Sequence, residues 1–392
     1  MSVDRILTTH VGSLIRPAQL MGYLRASERG EPYDAAAFAA ELASAVSDAV
    51  ERQVEVGLDV IDDGEMSKPG WINYAYSRVT GIEAQIVPVG EKVIPAGLDR
   101  EADAAQNLYV DYRPFDDDST DAATWLCTGP ISYDPTALTR DLETLTAALV
   151  GRQIVDAFVP AVAPGSAYWM RNEYYDSEEE FIFAFADALH EEYRLIVDAG
   201  FLVSVDDAVL WHKRATIKLM GGTDVDYRAW AEPRIEALNH ALRGIPQERV
   251  RYHVCSGSNH GPHVNDMPLR DFVDLVLRVN ARYLLIEQAN ARHEHEWRIW
   301  EDVALPDDKV VVPGVVTHQT MMVEHPELVA QRIVRLAKLI GRERVMAGTD
   351  CGFAQSAAYQ RVPPWTQWAK LEALVEGARI ATRELWGQSS GR

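Results

Sequence analysis

Short apolar stretches alternate with longer runs of helical period along most of the chain. The stretches "RILTTHVGS" (5–13), "GLDVIDDGE" (57–65), "TWLCTGPIS" (124–132), "FLVSVDDAV" (201–209), "RVRYHVCSG" (249–257), "RYLLIEQAN" (282–290), "KVVVPGVVT" (309–317) and "ERVMAGTDC" (343–351) read as strands. Between them, "SEEEFIFAFADALHEEYRLIVDAG" (177–200) and "HPELVAQRIVRLAKLIG" (325–341) repeat apolar residues every three or four positions. Both end on glycine, a natural helix stop. Residues 33–57 form a third such run. Strand and helix in alternation predict parallel βαβ units, and eight strands are the count of a (βα)8 TIM barrel.

A ninth apolar stretch, "VDAFVPAVAPG" (155–165), exceeds that count. It is expected to belong to an excursion after the third strand, with service as a barrel strand the alternative. Residues 81–123 end in the acidic run "PFDDDSTD" and have no helical period. They predict an inserted hairpin or lid within a single domain spanning 1–392, with a solvated loop as the plainer alternative.

Nearly every predicted strand ends in polar or glycine-rich sequence: "HVGS", "DDGE", "CTGP", "VDD", "HVCSG", "IEQAN" and "TDCG". One such ending is ordinarily a turn or helix cap. Seven argue for a shared site, because the C-terminal strand ends of an α/β barrel form one face. His253 and Cys255 stand two apart on one strand, so their side chains leave it on the same side. Cys351 closes the last strand and would face the same mouth. Nitrogen and sulfur donors suit zinc, and a catalytic zinc keeps one position exchangeable. His253, Cys255 and Cys351 are therefore the expected ligands, with Glu287 the expected fourth. A lone cysteine or strand histidine is more often ordinary core, and only the combination carries the metal reading. Cys127 is read as packing. In "ARHEHEW" the histidines His293 and His295 are read as solvated cap or outer residues, with a proton-donating role for one of them kept open.

Composition narrows the function class. The chain has 392 residues, 47% of them hydrophobic, and a formal net charge of −21. An acidic surface repels nucleic-acid backbones and anionic lipid, so neither is an expected partner. Three dispersed cysteines make no disulfide framework, and no apolar run of membrane-spanning length appears. A cytoplasmic enzyme of small molecules is the expectation.

Taken together, these motifs resemble the catalytic barrel of the cobalamin-independent methionine synthase family. In that family zinc is held by a His-x-Cys, a glutamate on the next strand, and the cysteine of a "(P/T)DCG" strand end. The corresponding residues here are His253, Cys255, Glu287 and Cys351 in "TDCG". "TTHVGSLIRP", "DGE" ending at Glu65, "TGP" (128–130) and "VDD" at Asp206 are similar to further motifs of the family. The resemblance covers nearly the whole chain. It implies that Ser13, Glu65 and Asp206 bind the backbone of homocysteine, with the two carboxylates on its amino group, a suitable pairing for an ammonium.

The chain has room for one barrel, whereas full-length methionine synthases carry two, so the methyl donor is left open. "VDDAVL" replaces the usual "VDEPAL". "HVCSGSNHGPH" and "ANARHEHEW" are closer to a single-barrel branch that includes epoxyalkane:coenzyme M transferase. The implied chemistry is attack of a zinc-bound thiolate on a methyl carbon, or alternatively on an epoxide. A zinc hydrolase or a non-catalytic zinc barrel is the more distant alternative. A sulfonate thiol would call for cations, with Arg16 and Lys68 nearest. His10, His260 and Asp350, near strand ends, are the candidates to supply the leaving group with its proton.

Overall fold

The computed structural model of the protein describes residues 4–28, 31–87, 122–258, 263–264, 266–356 and 361–387. Ten strands are assigned among them: β1 (Val60–Ile61), β2 (Val79–Val87), β3 (Ala122–Tyr133), β4 (Asp156–Val162), β5 (Met170–Asn172), β6 (Leu202–Asp206), β7 (Val250–Val254), β8 (Tyr283–Ile286), β9 (Val310–Val316) and β10 (Gly348–Thr349). Seven form one parallel sheet in the order β1-β4-β6-β7-β8-β9-β10. The sheet curls, and the N-terminal segment touches both of its edges: Thr8 bridges Ala347 beside β10, and Thr9 bridges Val60 of β1, both in parallel. The architecture is mixed α/β and TIM-barrel-like.

The strand that follows β1 in the curled sheet is β4, not the "TWLCTGPIS" stretch. That stretch lies in β3, which pairs antiparallel with β2 and parallel with β5 in a separate three-stranded sheet. Burial explains the difference. Six consecutive residues of β4, Ala157 to Val162, are buried, as a strand covered on both faces must be. In β3 the residues Thr128, Pro130 and Ser132 are exposed while Cys127 is enclosed, the one-sided pattern of an outer antiparallel sheet. The excursion therefore lies between β1 and β4. Of the span 81–123, residues 81–87 and 122–123 belong to the β2–β3 pair, and 88–121 lie outside the described residues.

Local chemistry sets the helix ends. Asp34 accepts hydrogen bonds from the Ala36 and Ala37 amides to open the helix Ala35–Val56, and Gly57 closes it at φ 94°. Ser177 caps Glu178–Asp198, whose first turn holds three glutamates at the positive end of the helix dipole. Pro326 starts the helix Pro326–Ile340. The buried residues Leu42, Val46, Val50 and Gln53 of Ala35–Val56 recur at helical spacing, as the sequence pattern requires. Among the described residues, no helix is long and apolar enough to cross a membrane.

Candidate metal centre

Parallel pairing sets the site's geometry. Strand β7 pairs with β6 so that His253 lies opposite Asp206, and with β8 so that His253 lies opposite Leu285. Cys255 follows β7 by one residue, Glu287 follows β8, and Cys351 follows β10 by two residues. All of these stand at the C-terminal strand ends. One ligand atom each from His253, Cys255 and Cys351 lies within 4.8 Å of the other two, and all three residues are buried.

The donor set fits a metal on structural grounds. Neither ring nitrogen of the buried His253 has a hydrogen-bond partner, and buried polar atoms are seldom left so. The two thiols press on each other electrostatically. Cys351 is held well below the usual thiol range by the Cys255 thiol and the His253 ring, against the effect of burial. Cys255 is driven in the opposite direction by Cys351 and by burial. Burial lowers the pKa of His253, but Cys351 and Asp206 outweigh it and bring the ring to about 9. A cation between the three would compensate one or two thiolates and use one of the idle ring nitrogens.

Glu287 stands outside the close trio. It is fully buried, accepting from the Ser256 amide at 2.7 Å, the Ser256 hydroxyl at 2.9 Å and the Asn290 amide nitrogen at 2.6 Å. Its charge still acts on both His253 and Cys255.

The residues expected to bind an amino acid gather around the same corner. In "DDGE", Asp62 accepts from the Gly64 amide and Asp63 from the Glu65 amide, two side-chain turns that present Glu65 at φ 56°. Its Oε1 lies over Gly12, where a Cβ would stand only 2.6 Å away. Ser13 rests on Gly352, the residue after Cys351, and accepts a 3.4 Å hydrogen bond from the Ala354 amide. Asp206 Oδ1 is 3.9 Å from His253 Nε2 and has no hydrogen-bond partner. The Asp206 side chain is 20% exposed against 1% for His253, so it is the face of this corner that an incoming ligand meets. Burial pushes Asp206 up to about 7, while His253 opposes the rise.

The proton-donor candidates separate. Asp350 is buried beside Cys351, accepting from the Gln288 and Ala289 amides on Oδ1 and leaving Oδ2 without a partner. Burial and the Glu287 charge push it up to about 8. His10 instead turns to Gln53, 2.7 Å away, and burial takes its pKa down to about 4. A ring neutral at pH 7 has no extra proton to give. His260 lies outside the described residues.

The two cations named for a sulfonate sit beside Glu65, Arg16 Nε donating to its carbonyl at 3.2 Å and Lys68 Nζ lying 3.9 Å from its Oε2, and each has a further backbone partner. Arg16 donates to the Ala354 carbonyl at 2.9 Å, and Lys68 donates to the Pro160 carbonyl at 2.6 Å over the Tyr74 ring. His293 is not solvated. It is buried, bonded to Asp266 at 2.9 Å, and lies edge-on to Trp211, whereas His295 is exposed.

Two neighbours of Cys351 were not anticipated. The buried His318 depresses the Cys351 thiol and bonds to Ser258 at 2.8 Å, and Gln355 Nε2 approaches Cys351 Sγ at 3.8 Å. His318 follows β9 by two residues in "VVTHQ", so the same strand-end reasoning applied to "VVT" would have found it. Gln355 carries no comparable signal.

No protein-family profile matches the chain. It is 24% identical over 388 residues to the methionine synthase of Saccharolobus islandicus, covering 96% of this chain and 95% of that one. It is 25% identical over 385 residues to the methionine synthase of Sulfurisphaera tokodaii, covering 96% and 93%. The fold superposes on the B12-independent methionine synthase of Shewanella sp. W3-18-1, solved in complex with selenomethionine. The TM-score is 0.72 at 17% identity, over 98% of this chain and 99% of that one. Over nearly its whole length the chain is similar to cobalamin-independent methionine synthases. This likeness makes the chain a transferase. The relatives match almost end to end, so the family likeness covers the whole barrel and not an isolated motif.

Proposed function

We propose that the protein is a zinc-dependent thiol S-methyltransferase of the methionine-synthase type, with homocysteine as its acceptor. The observation that carries this reading is the buried trio of His253, Cys255 and Cys351, set beside two carboxylates at one strand-end face. The curated relatives bear the name methionine synthase, which supports the acceptor.

His253, Cys255 and Cys351 would hold the ion, with Glu287 the fourth, exchangeable ligand. Bound zinc supplies the Lewis acidity that keeps a substrate thiol deprotonated near neutral pH. Asp206 and Glu65 take the ammonium of the amino acid, and an ammonium beside Asp206 restores the carboxylate charge that burial opposes. Ser13 positions the remaining backbone from its seat on Gly352. The substrate sulfur forms the new bond to the methyl carbon as the donor's bond to that carbon breaks. The leaving group then takes a proton, for which Asp350 Oδ2 is the best-placed of the candidates among the described residues. We read residues 1–392 as one (βα)8 domain closed through Thr8 and Thr9, with 81–123 as its inserted excursion. Its site of action is the cytoplasm, and its partners are a small-molecule thiol and a methyl donor.

The test is metal analysis of the purified protein, followed by zinc-edge X-ray absorption with and without homocysteine. One zinc per chain, gaining a sulfur neighbour when homocysteine is added, is expected. Zinc indifferent to homocysteine would overturn the acceptor. Full zinc content in Cys351→Ser and His253→Ala would overturn the ligand assignment.

A further inference from the structure

The opposite end of the barrel holds a second feature, unrelated to the metal face. A cavity of about 380 Å³ opens where the strands begin, lined by Leu7 of the N-terminal segment, Val60 of β1, Leu202 of β6, Tyr283 of β8 and Val310 of β9. Its volume lies in the range of small-molecule sites. Leu202, Val310, Val312 and Met346 are buried and form an apolar wall.

Charge at this cavity runs against the charge of the molecule. In a chain of net charge −21, its lining carries five arginines (Arg5, Arg249, Arg251, Arg282 and Arg342) against three carboxylates (Asp156, Glu248 and Glu343). Several of these arginines are already satisfied. Arg5 is bidentate on Asp59 at 2.7 and 2.6 Å, Arg249 reaches Asp156 at 3.0 Å, and Arg342 reaches Glu343 at 3.0 Å.

Arg251 is different. It is 2% exposed, and its guanidinium lies 3.5 Å above the centre of the Phe158 ring. Nη2 donates to the His10 carbonyl at 2.5 Å, while Nη1 is buried with no hydrogen-bond partner. A buried guanidinium nitrogen left without an acceptor is costly, and no carboxylate of this chain within the cavity is bonded to it. An apolar wall beside a buried cation with an idle nitrogen describes a ligand with an apolar body and one negative end.

We propose that this cavity binds a small organic carboxylate, its charged end on Arg251 and its apolar body against Leu202, Val312 and Met346. The site is at the strand starts, and the metal trio is at the strand ends. The two therefore do not share a ligand, although Arg251 and His253 lie on one face of the same strand.

Isothermal calorimetry on the full chain with hexanoate, hexanol and inorganic phosphate tests the proposal. Hexanoate should bind about 10- to 100-fold more tightly than hexanol, the difference one charge-assisted contact makes, and more tightly than phosphate. Val312→Phe, which fills the cavity without altering its charge, should abolish hexanoate binding. Arg251→Met should reduce hexanoate to the affinity of hexanol. Equal affinity for hexanoate and hexanol would overturn the charge assignment, and phosphate binding as tightly as hexanoate would overturn the apolar one. Absence of hexanoate binding, or binding that survives Val312→Phe, would overturn the site. The three ligands on the unaltered protein decide the chemistry even where a variant fails to fold.

Discussion

Asp206 and His253 are register partners on adjacent parallel strands, and their side chains end 3.9 Å apart, Oδ1 to Nε2. The pairing joins the carboxylate proposed to face the substrate to a metal-ligand candidate through the hydrogen-bond ladder of the curled sheet. A charge change at one is therefore felt at the other, yet the two have separable roles.

Asp206→Asn should separate them. The amide keeps the shape but removes the anion that an ammonium requires. The KM for homocysteine is expected to rise about 10- to 100-fold, with zinc content unchanged. Affinity for a thiol lacking the amine, such as 3-mercaptopropionate, should move far less. Steady-state kinetics with both thiols, beside metal analysis, is the check. Equal losses for both thiols would remove Asp206 from the ammonium site.

Gly352 is required by space and not by backbone angle. A Cβ there would stand 2.1 Å from Ser13 Oγ and 3.0 Å from the Ser13 nitrogen. Gly352→Ala must push Ser13 aside or shift the Cys351 loop. The expected cost is about 1–3 kcal/mol, measured by urea unfolding, with weaker homocysteine binding in the variant that still folds.

The pair His293–Asp266 predicts a pH window. Burial lowers the His293 pKa, but Asp266 and Glu296 outweigh it and bring the ring to about 9, above its ordinary value of 6.5. A raised histidine contributes stability that is fully present below about pH 6.5 and is lost as pH rises through about 9. Asp266 is half-buried, which pushes its pKa up, yet His263 and His293 hold it below the usual carboxylate range. Its contribution is present above that range and is lost as pH falls through the lowered value. Thermal unfolding should show His293→Gln losing most relative to the unaltered protein near neutral pH, with the gap narrowing toward pH 10. A gap independent of pH would assign His293 a packing role against Trp211 alone.

Arg78 anchors the small outer sheet by a buried charge network. Its Nη2 donates to Asp141, its Nη1 lies 3.6 Å from Glu192, and all three side chains are nearly inaccessible. Its backbone carbonyl also accepts from the Asp134 amide beside β3. Arg78→Met leaves Glu192 without its ion pair and Asp141 with Arg140 alone, and about 3–5 kcal/mol should be lost in chemical denaturation. Adding Asp141→Asn should recover part of that loss. A single variant within about 0.5 kcal/mol of the unaltered protein would contradict the network.

Much of the site was legible in the chain because strand geometry is local. The two-residue spacing of His253 and Cys255 places both on one side of β7 wherever that strand lies. The helices Ala35–Val56, Glu178–Asp198 and Pro326–Ile340 follow from period and caps that need no partner. The asparagine-like turns of "DDGE" likewise need only neighbouring residues.

What only the tertiary structure decided are the relations between segments distant along the chain. That β4 and not β3 enters the curled sheet depends on being covered from both sides, which no short apolar run reveals. Cys351 meets Cys255 because β10, β9, β8 and β7 lie in that order, and Gly352 meets Ser13 because the N-terminal segment joins the two sheet edges. His293 is buried by Trp211 and Asp266, 82 and 27 positions away, although "ARHEHEW" reads as solvated. The chain thus determined which side chains share a strand face or a turn, since φ/ψ periodicity is set within a few residues. Packing alone determined which faces meet, since burial and pairing are properties of the assembled barrel.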